Sequence, residues 1–439
     1  MKMIEKHLRV FTDRSEYHSE AGDVVVYEEG VMSVEARQRT HFIKEQFSHG
    51  FLDKLIVALK AGEEMPDQTK ISEATLNAVE NLVNQVTSEV GRALIGLTVM
   101  QLSIKTLSPA QSVRLHKASE RSGSFSWAEG ISMRTLDKSY VTPVLRKHNL
   151  VKLNADGFMM TRSLAENYPY SDLYKAKLRG AREEWLTVIY ELENGLTDPL
   201  ESLKLMLSML INAENTFQTQ AARLVEDLQT KLSYFSTRQQ ASQFLQAHLN
   251  DSDYAARLLE VSMHALMQAV TENNIYSSYS LRPLSQMRSA NKKHGNIGDV
   301  ELLDGNTIVR AWDAKYGKSY LREEIEELHE KLVHHQEVEL AGFVTNVEPE
   351  LRQEIMTRLR DIEALHGIAI TINTFDAWVS SIFDEAIKAG QIDEEQLAQE
   401  WVMAYAKTIS QQKREIAPID EPCMEWVKLL LQQVESLNV

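Results

Sequence analysis

Two carboxylates and a lysine stand at a spacing that favours metal-assisted hydrolysis. Asp299 lies at the start of a short apolar run that reads as a strand, and residues 304–306, Asp-Gly-Asn, follow as a turn signal. The second strand is predicted over 307–316 and carries Asp313 and Lys315, whose side chains share a face because they are two residues apart. A hairpin of this form would bring Asp299, Asp313 and Lys315 together at one edge.

The chemistry of this trio points to a divalent cation. Two neighbouring carboxylates repel each other unless a cation lies between them, and hard oxygen ligands favour Mg²⁺. A lysine beside such an ion can orient or help to deprotonate a water molecule and can stabilise charge on a phosphate. The alternative is an ordinary ion pair between Asp313 and Lys315 on an exposed strand.

The alternation of side chains along the second strand argues for a partly buried cleft. One face is predicted to carry Val309, Ala311, Asp313 and Lys315, and the other Ile308, Arg310, Trp312 and Ala314. The large apolar residues Ile308 and Trp312 predict that the second face packs against the core. Two smaller apolar residues, Val309 and Ala311, share the face of Asp313 and predict that it is partly buried. A lysine beside two carboxylates in such a cleft is an unusual arrangement, which favours the catalytic interpretation.

An aspartate, a turn and then Asp-x-Lys on the next strand resembles the PD-(D/E)xK nuclease superfamily, and within it the type II restriction endonucleases. Asp299 and Asp313 are 14 residues apart, which suits a hairpin, and Gly298-Asp299 stands where the family often has Pro-Asp. The resemblance covers about 250–375. It implies a core ordered as helix, catalytic hairpin, helix, strand, then helix or strand.

In this family the helix before the hairpin often contributes an acidic residue to the metal site. Residues 254–271 are predicted to form that helix, and Glu260 is the candidate; a partly exposed glutamate on a core helix remains the alternative. Glu301 could be a further ligand, but an ordinary strand glutamate is the favoured interpretation. His334 and His335 fall at a predicted helix end and are interpreted as structural.

Composition sets limits on the class of protein. The chain has 439 residues, 43% hydrophobic and 25% charged, which predicts two or three globular domains. Its single cysteine, Cys423, excludes an internal disulfide and a zinc site built on cysteines. We find no signal peptide and no run of about 18 apolar residues, so we expect a cytoplasmic protein without a membrane span. No glycine-rich phosphate loop supports nucleotide hydrolysis.

Charge is unevenly distributed. The formal net charge is −16, yet residues 101–180 hold 13 Lys and Arg against 6 Asp and Glu, whereas residues 251–439 hold 18 against 32. A basic segment in an acidic chain is consistent with a local nucleic-acid contact. Chance clustering of solvated charges is the alternative.

The basic segment also has the order of a winged helix. Two short helices, 132–138 and one opened by Thr142-Pro143, precede predicted strands 150–153 and 158–161 around an Asn-Ala-Asp-Gly turn. Winged helices commonly place a helix in the major groove, although some dock proteins instead. The candidate DNA contacts here, and in the loop before the catalytic hairpin, are Arg134, Lys138, Arg146, Lys147, Lys152, Arg162, Arg288, Lys292 and Lys293.

The predicted fold class is α+β with several domains. A mostly helical N-terminal half contains the winged-helix-like segment, and the C-terminal half contains a PD-(D/E)xK-type mixed β-sheet flanked by helices. The predicted divisions are a helical region (1–105), the DNA-binding segment (106–175), a helical linker or dimerisation scaffold (176–250) and a nuclease domain with a helical tail (251–439). A helix is also predicted to start at Ser108-Pro109.

These patterns favour a site-specific, Mg²⁺-dependent double-stranded DNA endonuclease of the type II restriction kind. Asp299 and Asp313 would hold the metal, Lys315 would position water, and Glu260 would complete the site. Expected partners are double-stranded DNA, a second copy of the chain and a cognate DNA methyltransferase. The alternatives are a non-catalytic sequence-specific DNA-binding regulator, or a PD-(D/E)xK nuclease of DNA repair or of another phage defence.

Overall fold

The protein divides into two compact units, Met1–Thr216 and Phe217–Val439. The computed structural model describes residues 5–84, 89–117, 127–151, 153, 155–160, 168–174, 181–276, 278–284, 295–412 and 422–437. Helices and two separate sheets build these units, which confirms the predicted α+β class. Each unit has its own apolar core.

The N-terminal unit joins a small sheet to a helical core. Its antiparallel strands are β1 (His7–Val10), β2 (Arg14–His18) and β3 (Val24–Glu28). Its helices are α1 (Val34–Ser48), α2 (Phe51–Ala61), α3 (Glu73–Asn84), α4 (Glu89–Leu107), α5 (Met133–Leu136), α6 (Thr142–Lys147) and α7 (Arg182–Glu193). Ser33 caps α1, since its side chain accepts the N–H of Ala36 at 3.0 Å. The predicted helical regions around 33–60 and 73–107 are therefore each formed as two helices.

The prediction of a helix starting at Ser108-Pro109 is wrong. Residues 108–117 run as turns and irregular chain. The buried Lys105 ammonium donates to the carbonyl of Pro109 at 3.1 Å, and the buried Gln111 amide donates to the carbonyl of Glu129 at 2.8 Å. The Pro109 carbonyl, which a helix would have satisfied internally, is thus satisfied by a side chain, and Gln111 ties this segment to residue 129.

The predicted wing is also wrong. Among the described residues of 150–160 no strand forms, and Phe158–Met160 is a single 3₁₀ turn. The Asp137 carboxylate explains this, because it accepts the N–H of Met159 at 2.8 Å and takes a donor that a hairpin would have used. Phe158 and Met159 are both buried, whereas a strand with one wet face would expose one of them.

The C-terminal unit places a five-stranded mixed sheet between helices. Helix α8 (Pro199–Thr230) crosses the division between the units. The remaining helices are α9 (Arg238–Asp251), α10 (Ala255–Glu272), α11 (Arg322–Leu332), α12 (Gln353–His366), α13 (Phe375–Ala389), α14 (Glu394–Gln412) and α15 (Cys423–Ser436). The strands, in their order across the sheet, are β4 (Ser280–Leu281), β5 (Val300–Asp304), β6 (Thr307–Ala314), β7 (Leu340–Thr345) and β8 (Ala369–Thr374).

Strand direction changes at β6. Strands β4, β5 and β6 pair antiparallel, whereas β7 pairs parallel with β6 and β8 parallel with β7. Parallel neighbours need a crossover connection, and α11 and α12 supply the two crossovers. The helices and strands predicted after the hairpin are therefore present in the predicted order.

The predicted assignment of β6 residues to faces is wrong in one half of the strand. Leu302 pairs with Arg310, but Leu303 pairs with Ile308, so Val309 is an extra residue in a β-bulge. Val309 consequently packs with Trp312 in the core formed with α10, α13 and α14. Ile308 and Ala311 pack instead in the core formed with α11 and α12. A bulge restarts the alternation of side chains, which a strict period of two cannot anticipate.

Candidate active site

The pairing of β5 with β6 brings Asp299 to Asp313. Val300 pairs with Trp312, and the N–H of Asp299 donates to the Trp312 carbonyl at 2.9 Å. The Asp299 carboxylate in turn accepts the N–H of Ala314 at 3.0 Å. These contacts hold the Asp299 side chain at the end of β6, where the charge of Asp313 acts on it.

Lys315 completes this cluster. Its ammonium lies 2.8 Å from an Asp313 carboxylate oxygen, with the side chains 20% and 11% exposed. Its N–H donates to the carbonyl of Val344 at 2.8 Å, which fixes its backbone beside β7. Burial lowers the pKa of Lys315, but the carboxylates of Asp313 and Asp299 outweigh burial and raise it above its usual value. Lys315 is therefore a fixed cation.

Glu260 reaches the same cluster from α10, paired with an arginine that sequence reasoning missed. Arg257 is 1% exposed and forms an ion pair with the Glu260 carboxylate. Burial raises the pKa of Glu260, Arg257 opposes this shift, and the charges of Asp313 and Lys315 also act on it. A charged residue three positions from Glu260 in an otherwise apolar helix was the available signal.

Asp299 is a buried carboxyl among other carboxylates. Burial, and then the charges of Asp313 and Glu260, raise the pKa of Asp299 well above its usual value. Burial and the neighbouring carboxylates therefore disfavour the ionised form of the Asp299 carboxyl, as happens when carboxyl groups are held close together. Within the described residues, no three His, Cys, Asp or Glu side chains are already arranged as a metal site. Asp299 and Asp313 are therefore the two candidate ligands for a cation at this site.

Gly298 makes the approach of Asp299 possible. A Cβ at this position would lie 2.6 Å from the Trp312 carbonyl oxygen and 2.7 Å from its carbon, so only glycine fits against this backbone. The N–H of Gly298 also donates to a Glu301 carboxylate oxygen at 3.1 Å, which a proline could not do. The Gly-Asp pair at 298–299 thus has a local physical reason.

The other acidic and histidine candidates are Glu301, His334 and His335. Glu301 is 1% exposed, and its carboxylate is bound to backbone N–H groups and to Arg282, so it is committed to protein contacts. His334 and His335 follow the end of α11, as predicted.

Four of the predicted DNA contacts are exposed in the N-terminal unit, and each already has a protein partner. Arg134 donates to the carbonyl of Met159 at 3.1 Å, and Arg146 donates to that of Leu153 at 3.0 Å. The other two make ion pairs, Lys138 with Asp156 at 3.8 Å and Lys147 with Asp53 at 2.8 Å. Exposed ion pairs of this kind are weak, so they leave lysines able to turn to a phosphate.

The remaining predicted DNA contacts lie outside the described residues: Lys152, Arg162, Arg288, Lys292 and Lys293. A comparison of the sequence with models of protein families and with curated proteins found no match. Within the described chain, no helix is long and apolar enough to cross a membrane.

Proposed function

We propose that the protein is a Mg²⁺-dependent endonuclease that hydrolyses phosphodiester bonds of double-stranded DNA, resembling PD-(D/E)xK nucleases of the type II restriction kind. The observation that carries the proposal is the convergence of Asp299, Asp313 and Lys315 at the end of β6, with Glu260 beside them. The order of elements supports it, since helix α10, the hairpin β5–β6, helix α11 and strand β7 follow one another as the resemblance implies.

The donor set fits Mg²⁺. Asp299 and Asp313 offer carboxylate oxygens, which this hard cation prefers, and a divalent charge would offset the neighbouring carboxylates that raise the pKa of Asp299. When bound, Mg²⁺ would polarise the scissile phosphate and stabilise the added negative charge of the transition state. Asp299 and Asp313 would hold the ion, and Arg257 would favour the charged form of Glu260 and orient it at the margin of the site.

Lys315 acts in this proposal as a donor of positive charge. Its raised pKa keeps the ammonium protonated, so it orients the attacking water or a phosphate oxygen by hydrogen bonding and does not remove a proton itself. Asp313, 2.8 Å from this ammonium, sets its direction. The protein thus supplies position and charge, which are the main requirements of phosphate chemistry.

Asp299→Asn provides a prediction for the metal-free protein. Folding raises the pKa of Asp299, so protonation of this carboxyl stabilises the folded protein. This stabilisation is complete below the unfolded pKa of about 3.9 and is lost as the pH rises through the native pKa. We expect wild type to lose stability relative to Asp299→Asn as the pH is raised in EDTA. Unfolding by urea at a series of pH values measures this difference, and parallel curves for the two proteins would contradict it.

The Asp299→Asn variant also distinguishes the effect of removing a buried carboxyl charge from the effect of losing a Mg²⁺ ligand. Mg²⁺ at 100 times its Kd should stabilise wild type by about 2.7 kcal/mol. Asp299→Asn loses one ligand charge and should gain little. Equal stabilisation of both proteins by Mg²⁺ would place the ion elsewhere.

The restriction version of the proposal requires selection of a particular DNA sequence. The basic residues of α5 and α6 are exposed, but no wing accompanies them in the described chain. A second copy of the chain would supply the second active site needed to cut both strands, and a cognate methyltransferase would protect the host DNA. Both partners belong to the restriction version of the proposal.

Digestion of a long, unmethylated DNA with Mg²⁺ and with EDTA tests these versions. Discrete, Mg²⁺-dependent fragments are expected for a restriction enzyme, and their ends would give the site. A smear would indicate a nuclease without a specific site, with a role in DNA repair or in another defence. DNA that stays intact but is shifted in a gel would contradict the nuclease proposal and favour a DNA-binding regulator.

A further inference from the structure

Glu301 is a buried charge whose contacts converge on the chain that leads into Asp299. One carboxylate oxygen accepts the N–H of Ile297 at 2.6 Å and the N–H of Gly298 at 3.1 Å. The other is paired with the Arg282 guanidinium. A buried carboxylate is costly unless it is fully paired, and an apolar residue would serve a strand interior at lower cost.

The partners of Glu301 are themselves tied to the same segment. Arg282 donates to the side-chain oxygen of the buried Asn296 at 2.9 Å, and its N–H donates to the Glu301 carbonyl at 2.9 Å. From α11 the buried Lys331 ammonium donates to the carbonyl of Ile297 at 3.3 Å. The three residues immediately before Asp299 are therefore held by charged side chains from β5, from the end of β4 and from α11.

We propose that Glu301 is the positioning residue of the candidate site: its carboxylate fixes residues 296–298 and thereby sets where Asp299 meets Asp313. The inference rests on the proposed function, because it assigns Glu301 a role in metal affinity. Glu301 touches neither the ion nor the DNA. It acts through the backbone of Gly298, which has no side chain of its own to anchor it.

Glu301→Gln tests this role. The amide cannot accept from Ile297 and Gly298 on one oxygen and also face Arg282 without opposing N–H donors, so the segment should shift. Loss of an outer partner of a metal ligand typically weakens metal affinity by about 10–100-fold. We expect a rise of this size in the Kd for Mn²⁺, a probe with similar ligand preference, measured by electron paramagnetic resonance without DNA. Cleavage should recover at high Mg²⁺, with an unchanged KM for DNA.

Glu193→Gln is the matched control in the other unit. Glu193 also accepts a backbone N–H, that of Val113 at 2.8 Å, and pairs with a buried lysine, Lys105, at 3.2 Å. This variant should lose stability without a change in the Kd for Mn²⁺. If Glu301→Gln folds poorly, Arg282→Gln replaces it, since Arg282 is 33% exposed and its loss leaves Glu301 without its cationic partner.

Two results would overturn the inference in different ways. A Glu301→Gln protein with the wild-type Kd for Mn²⁺ would leave the proposed site intact and reduce Glu301 to a structural residue. Wild-type Mn²⁺ binding that is insensitive to Asp313→Asn would remove the proposed metal site, and the role of Glu301 with it.

Discussion

Lys315→Ala is expected to lower the Mg²⁺-dependent rate of DNA cleavage by roughly 10²–10³-fold, the cost of losing one well-placed charge at a transition state. The ammonium lies 2.8 Å from Asp313 and stays protonated because the surrounding carboxylates raise its pKa. Its removal takes away the only contribution we assign to it, which is orientation and charge at the reacting phosphate. The Kd for Mn²⁺ and the affinity for DNA in a gel shift should change much less.

The matched control is Lys388→Ala, which removes an exposed lysine from the last turn of α13 in the same unit. It should cleave DNA like wild type. Single-turnover cleavage at saturating Mg²⁺ compares the two variants without interference from product release. A Lys315→Ala protein that cuts at the wild-type rate would show that this lysine has no part in the chemistry.

Gly298→Ala is expected to destabilise the C-terminal unit by about 1–3 kcal/mol, the usual cost of overpacking a close contact. The added Cβ would meet the Trp312 carbonyl group, a rigid neighbour that also accepts the N–H of Asp299. The ends of β5 and β6 would have to separate. Metal affinity and cleavage should therefore fall together with stability, which urea unfolding and the Kd for Mn²⁺ measure.

Gly298→Pro sharpens this prediction, because it introduces the Pro-Asp pair that is frequent in PD-(D/E)xK nucleases. Proline would add atoms against Trp312 and remove the N–H that donates to Glu301, so we expect it to do more damage than alanine. Gly130→Ala is the control, since Gly130 is crowded by Trp127 in the N-terminal unit and should cost stability without affecting the metal. Improved cleavage by Gly298→Pro would show that the described approach to Asp299 is wrong.

The parts of the fold that could be predicted are those encoded locally. The turn at 304–306 and the apolar runs on either side defined the hairpin, and helix periodicity defined α10. An antiparallel hairpin then necessarily placed the residue before β5 opposite the end of β6. This is why the sequence alone predicts that Asp299, Asp313 and Lys315 lie close together.

The parts that could not be predicted depend on contacts between distant residues. The bulge at Val309 follows from packing on both faces of the sheet, and nothing in the local alternation signals it. The prediction of a β-hairpin wing is wrong because the buried Asp137 carboxylate accepts the N–H of Met159, a residue 22 positions away. The local pattern favours an ordinary strand glutamate at position 301, because the partners of Glu301, which are Arg282 and the backbone before Asp299, meet only in the folded chain.

Cleavage by Asp313→Asn, compared with wild type over a Mg²⁺ titration, tests the central claim most directly. Asparagine keeps the size of the side chain but removes the charge that would help to hold the ion and that pairs with Lys315. We predict that wild type cuts double-stranded DNA only with Mg²⁺, and that the variant binds the same DNA without cutting it. Mg²⁺-dependent cleavage by Asp313→Asn at the wild-type rate would contradict the assignment of the active site to the end of β6.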